Sequence, residues 1–387
     1  MSLILSRLSR LGLLKPRLVV RRSSLLLLPS NDFSSNSLKQ NQTPPCYIYG
    51  AVSCGFNLGT LAICSATDRW MASDIDKRAP MYLVYNFLSK RNVVTIGASH
   101  GWVATLNADE EGILCLQDDL NPAASDIDPK RISLPPLVTL PHCQTNVITN
   151  VSLSSSSPED QDCVVAVKFL GPQLSFCRPA QSKPEWTNIR IENPCFFSSP
   201  VMFSKKDETF RIPGCGGHLI GSWDPRKPSD KPKLQMLRFE NFPPELRTKT
   251  DIRERLDPCS KSEHLVESRT TGETFLVKWY KKTTEVKDGV THMKTEYVMV
   301  FKIDEQGNAV YTQDVGDLVI LLSKSEPFCV PAASFPGLLP NHVYTLDFDE
   351  VGFVDLGSML IDTFGGTNRA PFYIPPQNKQ EMESRGC

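Results

Sequence analysis

Short apolar runs separated by turn residues recur along almost the whole chain, and they confine it to a fold built from many small antiparallel strands. The pattern is densest from residue 295 to 347. Residues 297–303 (YVMVFKI) are β-branched and aromatic, and residues 304–308 (DEQGN) supply the Asp, Gly and Asn that tolerate tight-turn backbone angles. Residues 309–315 run back beside the first strand, Gly316-Asp317 turns the chain again, 318–322 form a third run and 328–330 a shorter fourth. Four antiparallel strands in about fifty residues match one propeller blade, roughly 40 to 50 residues in the common repeat families. A single blade leaves an apolar face uncovered, so the rest of the chain must supply neighbours. On this reading Val298, Val300 and Ile320 pack between adjacent sheets, where an Asp would bury an unpaired charge.

The same rhythm recurs upstream. Runs at 93–96 and 102–106 flank Gly97-Ala98-Ser99-His100-Gly101, 113–117 follows a turn, and 132–136 closes the segment. A polar loop, 152–162, separates 147–151 from 163–169 as in a long hairpin, and 174–178 and 185–191 follow. Runs at 201–203, 209–212, 218–223 and 234–239 repeat the four-strand unit. Residues 242–258 are the one helical interruption, with Leu246, Ile252 and Leu256 at loosely helical spacing. A hairpin then joins 263–268 to 274–280, with 281–290 as a charged loop.

Residues 1–30 carry Arg7, Arg10, Lys15, Arg17, Arg21 and Arg22, six serines and no acid. That is the composition of a mitochondrial or plastid transit peptide, and the arginines favour the mitochondrion; a disordered basic arm on a cytosolic protein is the alternative. Leu25 to Leu28 is too short an apolar core for a secretory signal. Residues 31–45 are a polar linker. Without the leader, 36 basic residues face 43 acidic ones, a net charge near −7. Such a balance offers no footprint for a nucleic-acid backbone, and no apolar run approaches the roughly 20 residues that span a bilayer. Neither nucleic-acid binding nor membrane insertion is therefore expected.

Twelve cysteines occur without a C-x-x-C pair and look like scattered core thiols. Cys215 and His218 alone have ligand-like spacing, too few for zinc. Asp118, Asp119, Asp126 and Asp128 miss the calcium-loop pattern and are expected in a solvated acidic loop. Gly214-Cys215-Gly216-Gly217 could cradle a phosphate, but it leads into the alternating run His218 to Trp223 rather than a helix, so a β-turn is expected. The same holds for Gly365-Gly366-Thr367-Asn368. Asn41 and Asn150 head glycosylation sequons, which an imported protein would not present to that machinery.

Several segments together resemble a known family. His264-Leu265-Val266-Glu267-Ser268, Thr271-Gly272-Glu273, Val300-Phe301-Lys302-Ile303, Val315-Gly316-Asp317 and the 335–341 stretch (FPGLLPN) are similar to the plant domain of unknown function 295, the KIB-type β-propeller of F-box-related proteins. The 97–102 stretch and Ile132-Ser133-Leu134-Pro135-Pro136 resemble its N-terminal half, and the Arg-rich leader and the 365–371 tail resemble its organellar branch. The resemblance covers 46–376, leaving 377–387 as a flexible tail. Many relatives carry an F-box ahead of the propeller; here the leader fills that space. The fold expected is an all-β propeller, and roughly 330 residues divided by the blade length give about six or seven blades. The resemblance implies no catalytic residues to carry over, and no cluster has the ligand count or spacing for a metal, so neither a metal nor a cofactor is expected. It points to a protein-interaction or ligand-binding module. A ligase substrate-recognition subunit and a propeller-fold hydrolase are the alternatives.

Overall fold

A computed structural model describes residues 42–67, 76–85, 93–107, 112–141, 143, 147–242, 250–287, 290–365 and 370–378. The leader, Asn41 and the stretch 366–369 lie outside these residues.

The described strands form six sheets, each a blade. Blade 1 comprises β1 (Cys46–Gly55), β2 (Leu58–Ser65) and β3 (Arg78–Pro80), with the last strand, β26 (Ala370–Ile374), paired antiparallel to β1. A short helix, α1 (Met81–Val84), follows β3. Blade 2 holds β4 (Val93–Ser99), β5 (Trp102–Asn107), β6 (Ile113–Gln117) and β7 (Arg131–Pro136). Blade 3 holds β8 (Ile148–Leu153), β9 (Val165–Phe169), β10 (Gln173–Cys177) and β11 (Thr187–Arg190). Blade 4 holds β12 (Met202–Ser204), β13 (Thr209–Pro213), β14 (Leu219–Trp223) and β15 (Lys233–Met236). Blade 5 is β16 (Arg238–Glu240), β17 (Ser260–Glu267), β18 (Thr274–Lys287), β19 (Val290–Ile303) and β20 (Asn308–Thr312), with α2 (Thr250–Leu256) between β16 and β17. Blade 6 is β21 (Leu318–Leu322), β22 (Phe328–Pro331), β23 (His342–Leu346), β24 (Glu350–Asp355) and β25 (Leu360–Gly365).

Six apolar clusters lie one between each pair of neighbouring sheets, including the last and the first. Val319, Leu321 and Tyr344 of blade 6 meet Tyr47, Cys64 and Tyr373 of blade 1. That sixth contact closes the ring, so each described sheet packs against a neighbour on both sides. Between blades 5 and 6, Val298, Val300 and Ile320 share one core with Val266 and Val343, as their alternation in the sequence predicts.

The stretch 295–347 is not one blade. β19 and β20 belong to blade 5, β21 and β22 to blade 6, and Gly316-Asp317 lies on the crossing between them. Asn341 holds that crossing: its Oδ1 accepts from Val315 N at 2.8 Å and its Nδ2 donates to the Gln313 carbonyl at 2.9 Å. Blade 6 also departs from a simple meander, because β21 pairs parallel with β23. The run 234–239 is likewise divided. β15 ends blade 4, and β16 pairs parallel with β20 of blade 5. The close approach there requires Gly307, since a Cβ would sit 2.4 Å from the Met236 carbonyl oxygen. Residues 281–287 are strand rather than loop, because the ladder between β18 and β19 continues to Lys287 and Val290. Polar side chains hide that extension; it is held against blade 6 by Lys281 on Asp347 at 2.6 Å and by Asp349 accepting from Met293 N at 3.0 Å. The helix expected within 242–258 is present as α2.

Polar side chains join the blades where the clusters end. Asn150 donates to the Val201 carbonyl at 2.7 Å and accepts from Val201 N at 2.9 Å, so this sequon is a buried bridge between blades 3 and 4. Fully buried Glu350 accepts from Thr295 N of blade 5. The expected solvated acidic loop is so only in part: Asp126 and Asp128 are exposed, whereas Asp118 and Asp119 are buried. Asp119 takes both Nε and Nη2 of Arg131, and Asp118 accepts from Lys130 N. Buried Lys77 of blade 1 pairs with Asp126 at 2.9 Å and donates to the Ala124 carbonyl.

At the centre, residues 323–327 reach the inner strands of four other blades. Lys324 N donates to the Pro371 carbonyl of β26, and Glu326 N to the Ala98 carbonyl of β4. The Glu326 carboxylate accepts from Ser99 Oγ of blade 2, from Ser152 Oγ of blade 3 at 2.8 Å and from Phe203 N of blade 4 at 2.8 Å. Burial raises the pKa of this carboxyl, and the three donors oppose that shift. Replacing Glu326 by Ala strands three donors, and we expect a loss of about 3 kcal/mol. Gln keeps an acceptor there and the serine hydroxyls can reverse, so Glu326→Gln should retain most of the stability. Urea unfolding checks this, and equal losses in the two variants would remove Glu326 from its central role.

Lys168 is fully buried in blade 3, where its ammonium donates to the carbonyls of Phe169, Gly171 and Phe197. Burial lowers its pKa from an ordinary 10.5 to about 7. Between those values the unfolded chain holds a proton that the native state releases, so this residue makes stability rise as pH climbs from about 7 toward 10. Lys168→Met should flatten that rise and, by stranding three carbonyls, lower stability at pH 7. Thermal melts of both proteins across that window measure the slope, and parallel curves would refute the assignment.

Candidate binding face

The loops that leave the inner strands β4, β8, β12 and β17 at their C-terminal ends gather on one face of the ring. The turn after β4 places His100 at φ 54°, and its Nε2 lies 3.1 Å from Nη2 of Arg269 in the loop after β17. Burial first, then Arg269, pushes the His100 pKa down to about 3, so the ring is neutral and accepts from the guanidinium. Glu267, the last residue of β17, accepts from Ser204 Oγ, from Lys205 N at 2.9 Å and from Lys206 N at 3.1 Å. It thereby holds the turn 205–208 of blade 4 against blade 5.

That turn and the loop 224–227 form a ridge between two hollows, both of which include Glu208 or its neighbour Asp207 together with Arg226. One, of 660 Å³, lies toward blade 3 and includes Ser154, Ser155, Asp160 and Arg178. The larger, of 960 Å³, lies between blades 4 and 5 and is lined by six basic and six acidic side chains. Several of these form ion pairs: Lys206 with Glu305 at 2.8 Å, and Arg226 with Asp224 at 2.9 Å and with Glu208 of the other hollow at 2.8 Å. Such exposed pairs contribute little to folding, so a partner's charges can replace them at small cost.

The floor of the larger cleft is β13. Thr209 and Arg211 stand two residues apart and share one side of the strand, opposite Phe210 and Ile212, which enter the apolar cluster between blades 3 and 4. Arg211 is 6% exposed. Its Nη2 donates to Gln235 Oε1 at 3.1 Å and its Nη1 is 3.5 Å from Asp207 Oδ2. Burial lowers its pKa, which Asp207 and Glu267 partly restore.

The glycine turn singled out in the sequence is a turn, and its polar groups are already engaged. Gly216 N donates to Glu263 Oε1 at 3.0 Å, and the Gly216 carbonyl accepts from Lys278 Nζ at 3.0 Å. The backbone comes so near that a Cβ on Gly217 would lie 2.9 Å from Lys278 Cε, and its φ is 74°. The cradle that could take an anion takes the carboxylate of the next blade instead. Lys278 lies over the Phe239 ring, 4.3 Å from its centroid, and burial lowers its pKa to about 8. It borders a separate hollow of 630 Å³ with Tyr280, Lys261 and Arg253. Cys215 is exposed at the same turn, while Cys46, Cys64, Cys163 and Cys177 are buried thiols. The second glycine run, at 366–368, lies outside the described residues. Sequence reasoning passed over Arg211. The signal was present: a cation alternating with Phe210 and Ile212 in a strand must face away from them and still find polar company.

The chain is similar to Myxococcus xanthus glutaminyl cyclase, with 10% identity, 74% of this chain and 91% of that one covered, and a TM-score of 0.27. It is similar to the dihydro-heme d1 dehydrogenase NirN in complex with DHE at 11% identity, covering 92% and 78%, with a TM-score of 0.29. A third likeness is to BBS1N in complex with ARL6DN, at 12% identity, 67% and 90% coverage and a TM-score of 0.24. Likenesses at this level carry no argument about activity. No curated protein matches the chain. The KIB1-4 beta-propeller family matches residues 78–364, from the first residue of β3 into β25. Together with six sheets closed by β26 on β1, that match shows that this chain belongs to the KIB1-4 beta-propeller family.

Proposed function

We propose that this chain is a non-enzymatic protein-interaction module of the mitochondrion, from the organellar branch of its family. Residues 1–30 act as a transit peptide, 31–45 as a linker, 46–376 as the propeller and 377–387 as a tail. The observation that carries the interaction reading is the loop face over blades 3 to 5. It is a ridge with a hollow on each side, dressed with exchangeable ion pairs and mounted on inner strands that Glu326 and Glu267 hold in place. The basic, acid-free leader carries the location, since the import potential favours a positively charged amphipathic segment.

Two outcomes are expected. A fluorescent fusion should enter mitochondria, and replacing Arg7, Arg10, Arg21 and Arg22 by Glu should hold it in the cytosol; import unchanged by those reversals would overturn the location. Affinity purification from intact mitochondria should recover a protein partner. Lys205→Glu with Arg226→Glu should release it while changing stability by less than about 1 kcal/mol. A partner retained by that double variant would move the interface elsewhere.

A further inference from the structure

We propose that the floor of the cleft between blades 4 and 5 is an oxyanion site, in which Arg211 and Thr209 hold a single carboxylate or phosphate group. Among the described residues five buried polar side-chain atoms lack a hydrogen-bond partner, and two of them, Arg211 Nε and Thr209 Oγ1, belong to this floor. Both can donate, and Thr209 and Arg211 are neighbours on the face of β13 that lines the cleft. A native protein rarely leaves two adjacent buried donors unused, and one acceptor with several lone pairs would satisfy both.

The charges around the floor point the same way. Glu305 is taken by Lys206, Asp224 by Arg226, Glu273 by Lys302, and Asp304 accepts from Asn308 N and Nδ2. Lys227, Lys231 and Lys233 line the cleft and form no ion pair among the described residues. The nearest carboxylate oxygen to Arg211, on Asp207, is 3.5 Å away, longer than the usual 2.7 to 2.9 Å of a charge-assisted bond. With the other acids committed, Asp207 and Asp230 are outweighed by Arg211 and three lysines. The volume, 960 Å³, falls in the range of small-molecule sites, about 300 to 1,000 Å³. This inference goes beyond the partner-binding reading and stands whether or not that partner exists.

The test is isothermal titration of the full chain in a phosphate-free, low-salt buffer with four probes: inorganic phosphate, glutarate, a short peptide with one phosphoserine, and the same peptide with glutamate. Saturable binding of at least one probe, one per chain, is expected. Thr209→Val should weaken it about threefold to tenfold and Arg211→Lys by at least about tenfold. Because Arg211→Lys could disturb blade 4, Thr209→Val, which keeps the side-chain shape, serves as the independent variant. Tighter binding of free anions would assign the site to a metabolite, and tighter binding of a peptide would assign it to a partner's side chain. Absence of saturable binding by all four probes, or binding unchanged in both variants, would overturn the proposal. Loss of the mitochondrial partner in Lys205→Glu, whose side chain lines the other hollow and not this cleft, with anion binding retained would separate the two sites.

Discussion

A single carboxylate, on the loop 323–327 of blade 6, ties together the inner strands of three other blades. The inner strands of a propeller expose backbone groups toward the axis, and something must satisfy them. Residues 323–327 do so here, and Glu326 binds blades 2, 3 and 4 together by accepting from Ser99, Ser152 and Phe203 N. Separating those three strands would cost this half-buried carboxylate its three donors. The loops of the binding face begin one or two residues beyond these same contacts, at His100, Ser154 and Lys205. The face is thus mounted on the most constrained part of the molecule, which keeps its hollows formed before any partner arrives.

Apolar burial supplies most of the cohesion between blades but little direction, because it follows area rather than orientation. Register between sheets comes from polar side chains that cross each gap. Asn150 joins blades 3 and 4 through Val201, Glu267 joins blades 4 and 5 as do Glu263 and Lys278 through the backbone of Gly216, and Glu350 joins blades 5 and 6 through Thr295. Each spans residues distant in sequence and bonds backbone as well as side chain. Such contacts tolerate little sliding, and they explain how six similar wedges adopt one arrangement.

Most strands were legible in the amino-acid order. Alternation and turn residues located β4 to β7 and β17, and the charged loop 152–162 is the connection between β8 and β9. What could not be read was which strands share a sheet. Gly316-Asp317 has the chemistry of a hairpin turn, yet it carries the chain from blade 5 to blade 6; a local turn signal reports reversal and not the identity of the next partner. The polar extension 281–287 looks like loop because its side chains are supported by Asp347 and the β19 ladder rather than by an apolar face. Glu326 lies in Ser323-Lys324-Ser325-Glu326-Pro327, which has every mark of a surface turn. Its partners come from strands more than a hundred residues away, and no local pattern encodes them. Asp118 and Asp119 misled for the same reason, since Lys130 and Arg131 bury them.

The pairing of β26 with β1 carries a kinetic consequence. Blades 2, 3 and 4 are each assembled from consecutive strands, and contacts of that kind form quickly because the loops to be closed are short. Cys46 opposite Ile374 is the reverse case: nearly the entire described chain must be looped before this ladder is made. The ring therefore has a seam, and joining it is the slow step by topology alone. Until then the two flanking sheets expose unpaired edges and the apolar residues that later meet between blades 6 and 1. In this protein susceptibility to aggregation during folding is concentrated at one predictable place, the gap between the first strand and the last.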